Sequence, residues 1–179
     1  MTSSAFVKQI DNRNFLSGVG FKFNLTKFPK VDFFSNSARI PELNLALAQQ
    51  SSYLKNIAVP GERLTFGDFT LRFLVDENME NYLSVYGWLK GLGFPESGKQ
   101  FKEIITDTYG QRDHKEAFCD GTLSIQNSNY REVAKVKFND LFPISLTSLE
   151  FDATNTDVQF FTAEATFKYT IYDLVSSIT

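Results

Sequence analysis

A mostly β, α+β fold is what this sequence predicts, an antiparallel sandwich with one α-helix at its edge. Three observations carry it. Apolar and polar residues alternate through several separate runs, as they do along a half-buried strand. One stretch repeats its apolar residues at helical spacing, between a candidate N-cap and a pair of glycines. Nineteen of the 179 residues are Phe, against one Trp and two Met, and Phe favours strands while leaving no polar tip to satisfy when buried at a contact.

The elements follow in order. Residues 1–17 are polar with isolated Phe6, Val7, Ile10 and Phe15, which predicts an arm that orders only by lying on another surface. One domain is expected over 18–179, since a chain of this length buries a sizeable core once and is marginal for two. Phe21, Phe23 and Leu25 alternate with Lys22, Asn24 and Thr26 as a first strand, and a second follows around Val31 to Arg39. Residues 40–62 open and close with prolines and read as a long loop. Loops of that length are usually functional, and Leu43, Leu45, Leu47, Tyr53 and Leu54 are costly to leave in water.

Phe69 to Val75 alternates again. Asp76 then stands as N-cap with Glu77 and Glu80 in the first turn, which favours the positive end of a helix dipole. Met79, Tyr82, Leu83, Tyr86 and Leu89 recur at helical spacing until Gly91, Gly93 and Pro95, so a helix is expected over 77–90 with that row packed on the sheet. Residues 95–112 read as an exposed connection. Ala117 to Ile125 and Ala134 to Phe138 then form a hairpin about the turn Asn127-Ser128-Asn129.

The last run is the longest. Phe161, Ala163, Ala165, Phe167, Tyr169 and Ile171 fall on one side of it, and Thr162, Glu164, Thr166, Lys168, Thr170 and Tyr172 on the other. Read as one strand from Val158 to Asp173, it is more than twice the usual five or six residues. Either a neighbouring copy covers its excess length, or it is a long edge strand bent across a monomeric sandwich.

Composition narrows the function classes. Hydrophobic residues at 42% and charged residues at 22% exclude a wholly disordered chain. Eighteen basic against twenty-one acidic residues give a net charge of −3, so no chain-wide attraction to nucleic acid exists. No apolar run is long enough to span a bilayer or to serve as a signal peptide, which points to folding in a cytoplasm without membrane binding.

The residues offer no chemistry either. One His and one Cys, His114 and Cys119, stand five positions apart without partners at ligand spacing, so no metal site is expected. Cys119 reads as core filler and His114 as a solvated loop residue. No phosphate loop or nucleophile elbow is present, and no catalytic or cofactor-binding residue is assigned. The chain is not expected to be an enzyme.

Two blocks resemble the tail tube proteins of contractile-tailed bacteriophages, which are similar in fold to the inner tube protein of type VI secretion systems. The first runs from Pro41 through Val59-Pro60-Gly61-Glu62-Arg63, Phe66-Gly67-Asp68-Phe69-Thr70-Leu71 and Val75-Asp76-Glu77-Asn78 to the helix with Tyr82 and Trp88. The second is Leu141-Phe142-Pro143, Leu149-Glu150-Phe151-Asp152, the turn from Asn155 to Asp157, and the final strand to Tyr169 and Tyr172. Residues 1–17 and 96–112 show no such counterpart.

The resemblance implies a structural virion protein. Six copies would form a ring whose strands join a partial barrel in each chain into a continuous one around a lumen. Stacked rings would make the inner tail tube through which the genome passes, inside a virion tail assembled in the host cytoplasm. Implied partners are the chain itself, the tail sheath protein, baseplate or tube-initiator and tail-terminator proteins, and, transiently in the lumen, the tape measure protein and DNA. Leu43, Leu45, Leu47, Tyr53 and Leu54 then become the ring-stacking loop. Phe6, Val7, Ile10 and Phe15 contact a neighbour, and Thr162, Glu164, Thr166, Lys168 and Thr170 line the lumen or a subunit seam. Two alternatives stand: a baseplate tube-initiator or tail-completion ring of the same fold, and a monomeric ligand-binding β-sandwich.

Overall fold

The computed structural model describes residues 16, 18, 20–28, 35–93, 96–106, 113–151 and 160–176. Phe6, Val7, Ile10 and Phe15 lie outside the described residues, as do residues 31–34 of the expected second strand, the 155–157 turn and the first residues of the expected long strand. The described strands are β1 (Phe21–Leu25), β2 (Ser35–Arg39), β3 (Leu43–Gln50), β4 (Ile57–Phe66), β5 (Phe69–Leu74), β6 (Cys119–Gln126), β7 (Glu132–Leu146), β8 (Thr162–Lys168) and β9 (Ile171–Ser176). The helices are α1 (Glu80–Gly93) and α2 (Gly98–Ile105), with a 3-10 turn at His114–Ala117.

Seven strands make one antiparallel sheet in the order β1-β6-β7-β8-β5-β2, with β9 also on β7, while β3 and β4 pair only with each other. The spine is β7. Its first part pairs with β9 from Ala134 to Asn139, and its last part pairs with β8 from Phe142 to Leu146. Between them Asp140 sits at φ 54°, a left-handed conformation that Asp tolerates better than most side chains. The strand bends there, which folds the sheet into the two halves of a partial sandwich.

The predicted fold class therefore holds, and the expected long C-terminal strand does not. The run breaks at Tyr169-Thr170 into β8 and β9, opposite the bend in β7. Alternation predicted the faces of β8: Ala163, Ala165 and Phe167 are fully buried. What alternation cannot show is that β8 lies between β5 and β7. Both its edges are covered within the chain, while β9, among the described strands, pairs on one side with β7 alone.

The core is aromatic. Phe69 lies 5.0 Å from Phe23 and 4.5 Å from Phe138, ring centroid to centroid, with Phe73 and Phe167 also fully buried. Against this sheet α1 turns a face rotated from the expected one, which keeps Tyr82 of that row against the core. Asn81, Val85, Trp88 and Gly91 are buried, whereas Leu83 and Tyr86 of the expected row are about half exposed. The reason is polar satisfaction. The Trp88 indole N–H donates to the Ala117 carbonyl at 3.0 Å. Asn81 Nδ2 donates to the Leu74 carbonyl at 2.7 Å, while its Oδ1 accepts from the Asp76 and Tyr82 N–H groups. A buried amide with three partners fixes the helix rotation, because leaving any of them unmet is expensive. The Asp76 carboxylate accepts from the Glu77 N–H rather than capping a helix turn, and α1 begins four residues later than its proposed cap.

Two further expectations are corrected. Residues 98–105 of the supposed connection form α2, whose Ile104 and Ile105 face the body. Gly91 is not a stop signal but the point where α2 approaches α1, since a Cβ there would lie 1.9 Å from Ile104 Cδ1. The 40–62 loop is likewise regular, being most of the hairpin β3–β4.

Candidate assembly surface

The residues Leu43, Leu45 and Leu47 recur at a spacing of two, which is strand periodicity, and the structure places them in β3 with all its residues exposed. Tyr53 and Leu54 stand at the hairpin tip, both at least 90% exposed. Ile57 and Leu64 of β4, which the sequence reading passed over, add two more exposed apolar side chains. The five stacking-loop candidates thus share one projecting element. A hairpin of two strands is at best marginal alone in water, and this one carries seven exposed large apolar residues without a core of its own.

Pro60 and Gly61 obscured the hairpin in the sequence. Leu45 pairs with Leu64 but Leu47 with Pro60, so Ala46 faces residues 61–63 across a bulge. A Cβ on Gly61 would lie 2.5 Å from the Ala46 carbonyl oxygen, which only backbone movement relieves. Gly61→Ala is expected to loosen the hairpin locally by on the order of 1–3 kcal/mol. Hydrogen exchange should accelerate over 43–66 while the core amides keep their protection; unchanged exchange in the hairpin would contradict the bulge.

The second candidate group lies on the outward face of β8. Glu164 stands opposite Arg72, Thr166 opposite Thr70, and Lys168 pairs with the Asp68 carboxylate. Arg72 Nη2 reaches Thr162 Oγ1 at 3.4 Å. Thr162, Glu164, Thr166 and Lys168 therefore form one charge-balanced polar face, and Thr170 lies beyond it in the break before β9. On β9 itself Ile171, Leu174 and Val175 are exposed along the sheet edge.

Titratable groups such as Lys90 and Glu96, or Lys27 and Glu116, stand in ion pairs among the described residues. No group of three or more His, Cys, Asp or Glu among them is placed to hold a metal ion. Burial pushes the Cys119 thiol up, so it stays neutral. A hollow of about 530 Å³ between the end of α1 and β7 is lined by Leu89, Leu92, Phe101, His114, Phe118 and Phe142, and offers no carboxylate or hydroxyl nucleophile. No described helix is long and apolar enough to cross a membrane.

A projecting apolar hairpin, exposed apolar residues on β9 and a balanced polar face suit assembly better than turnover. The sequence profile of the phage tail tube protein family matches residues 2–175. The chain belongs to this family. The match takes in residues 2–17 and 96–112 as well, for which the sequence reading had no counterpart. No curated protein matches the chain. Among solved structures, a chain of the anti-feeding prophage cap, its tube terminating cap, has a TM-score of 0.65 at 16% identity, over 98% of this chain and 100% of its own. A chain of the sheath-tube complex of the extracellular contractile injection system PVC, in the extended state, gives 0.57 at 18% identity, over 92% and 93%. The sheath/tube terminator structure of that system gives 0.56 at 18% identity, over 90% and 96%. At such identities the likeness is one of fold. Family and fold together give this tail tube protein a structural role in a tail.

Proposed function

We propose that this tail tube protein is the repeating subunit of an inner tail tube, closing as hexameric rings that stack around a lumen for the genome. The observation that carries the reading is the β3–β4 hairpin, whose exposed leucines and aromatic tip require cover. A neighbouring ring supplies it in every layer of a stack. Within a ring, β9, which among the described strands pairs with β7 alone, offers its outer side with Leu174 and Val175 to a next copy's strand, and such pairing would remove an aggregation-prone edge. Such a contact is heterologous and closes when the rotation allows. The polar face of β8 then lines the lumen or a seam. Its balanced charges hold neither a passing tape measure protein nor DNA. The sheath protein lies outside the tube, and baseplate initiator and terminator proteins at its ends, in a virion tail assembled in the host cytoplasm.

A tail-completion ring is the second reading, favoured by the end-to-end likeness to a tube terminating cap. Electron microscopy of the purified full-length chain separates the two. Tubes many rings long support the repeating subunit; single rings that never stack point to a completion ring, and monomers at high concentration overturn both.

A further inference from the structure

Gly67 N–H donates to the Glu42 carbonyl at 3.0 Å, closing the hairpin root where Leu43 pairs with Phe66. The hairpin shares no strand pairing with the seven-stranded sheet. At that root Tyr169, in the β8–β9 break, and Tyr172 of β9 reach across. The Tyr169 hydroxyl donates to the Gly67 carbonyl at 2.8 Å, and the Tyr172 hydroxyl to the Pro41 carbonyl at 3.2 Å. One grips the chain as it leaves β4, the other as it approaches β3. Phe66 stands edge-on to both rings, at 6.2 and 5.5 Å, and core Phe138 backs them at 5.1 and 5.9 Å.

We propose that Tyr169 and Tyr172 are positioning residues that set the angle at which the β3–β4 hairpin leaves the body, and so its register on the next ring. The inference rests on the stacking role of that hairpin. A lever argument gives it weight. A strand of eight residues at about 3.4 Å per residue reaches roughly 27 Å, so a root tilt of about 10° displaces the tip by about 5 Å. That exceeds the roughly 4 Å separation of apolar side chains in contact. Burial, then Tyr172 and Asp68, push the Tyr169 hydroxyl up to about 12, so it remains a donor throughout the neutral range. Both tyrosines lie beside the bend at Asp140, which ties hairpin angle to the shape of the sheet that closes the ring.

The test is Tyr169→Phe with Tyr172→Phe, which keeps both rings in the aromatic cluster and removes only the hydroxyls. Spin labels at Ser52 near the tip and Lys137 on β7, with buried Cys119 replaced by Ala, report the hairpin angle in unassembled protein. The expected result is a distance distribution at least twice as broad as in the parent, with unchanged far-UV circular dichroism, and a rise of about tenfold or more in the concentration needed for tubes. An unchanged distribution overturns the proposal, whatever the tubes do. If the double variant loses its fold, each single Phe variant is read by the same criteria. A parent chain that never stacks sinks the tube reading, while the label distances still decide whether the tyrosines hold the hairpin.

Discussion

Replacing Leu45 and Leu47 together with Asp is expected to abolish stacking and leave the subunit folded. Both leucines are exposed in β3, Leu47 by 76%, and neither belongs to the core cluster around Phe69 and Phe138. The monomer therefore loses little, and its thermal midpoint should move by no more than about 4 °C, in line with two surface substitutions of about 0.5 kcal/mol each. Assembly is another matter. Covering a Leu contributes about 1.5–3 kcal/mol, and a carboxylate buried there without a partner costs several kcal/mol more. Every subunit of a ring bears both changes. A rise of more than about 100-fold in the concentration required for tubes follows, at tenfold per 1.4 kcal/mol. Sedimentation velocity and electron microscopy read it directly. Full-length tubes from the double variant would show that the hairpin is not the stacking element.

The same hairpin marks where the sequence was legible and where it was not. Leu43, Leu45 and Leu47 carry strand periodicity, yet Pro41, Pro60 and Gly61 imitate loop composition, because a bulge and a proline are tolerated in a two-stranded ribbon with free edges. In the sheet body alternation read correctly, since β1, β5, β6 and β8 each turn one face into a shared core. Periodicity misjudged the rotation of α1, where Leu83 and Tyr86 of the expected row are about half exposed and the row with Asn81 and Trp88 is buried. A spacing rule ranks a polar Asn as surface; only the Leu74, Asp76 and Tyr82 backbone groups make it cheaper inside. The break at Tyr169-Thr170 was invisible for a related reason, being dictated by a bend in β7 some thirty residues earlier in sequence. The stacking candidates were singled out because apolar residues in a stretch of loop composition stand out in a sequence. Tyr169 and Tyr172 were placed on a strand, but their hydroxyl partners lie about 100 and 130 positions away.

Thr166→Pro is expected to have the largest effect on the fold itself. Thr166 faces Thr70 on β5 and Ser145 on β7, so β8 is paired on both sides at that point. Proline removes an N–H from a central strand and fixes φ near −65°, away from the extended ladder. Its neighbours Ala165 and Phe167 are fully buried, so the distortion reaches the aromatic core. A loss on the order of 3–5 kcal/mol is expected, from an unmet hydrogen bond and displaced packing, against a usual net stability of about 5–15 kcal/mol. The unfolding midpoint should fall sharply and no rings should form; a Thr166→Pro variant near parental stability would contradict the central placement of β8. Two residues away, Glu164→Lys tests the outward face of the same strand without touching the core. It sets a second cation opposite Arg72 on an exposed surface, where a charge change costs about 1 kcal/mol or less. The monomer should therefore be stable, and the ring decides the rest. In an open lumen either sign is solvated and rings form as before; at a seam the lost partner is partly desolvated and rings weaken. Hexamer yield from Glu164→Lys thus assigns the face of β8 that Thr162, Thr166 and Lys168 share, once Thr166→Pro has shown that β8 itself holds the sheet together.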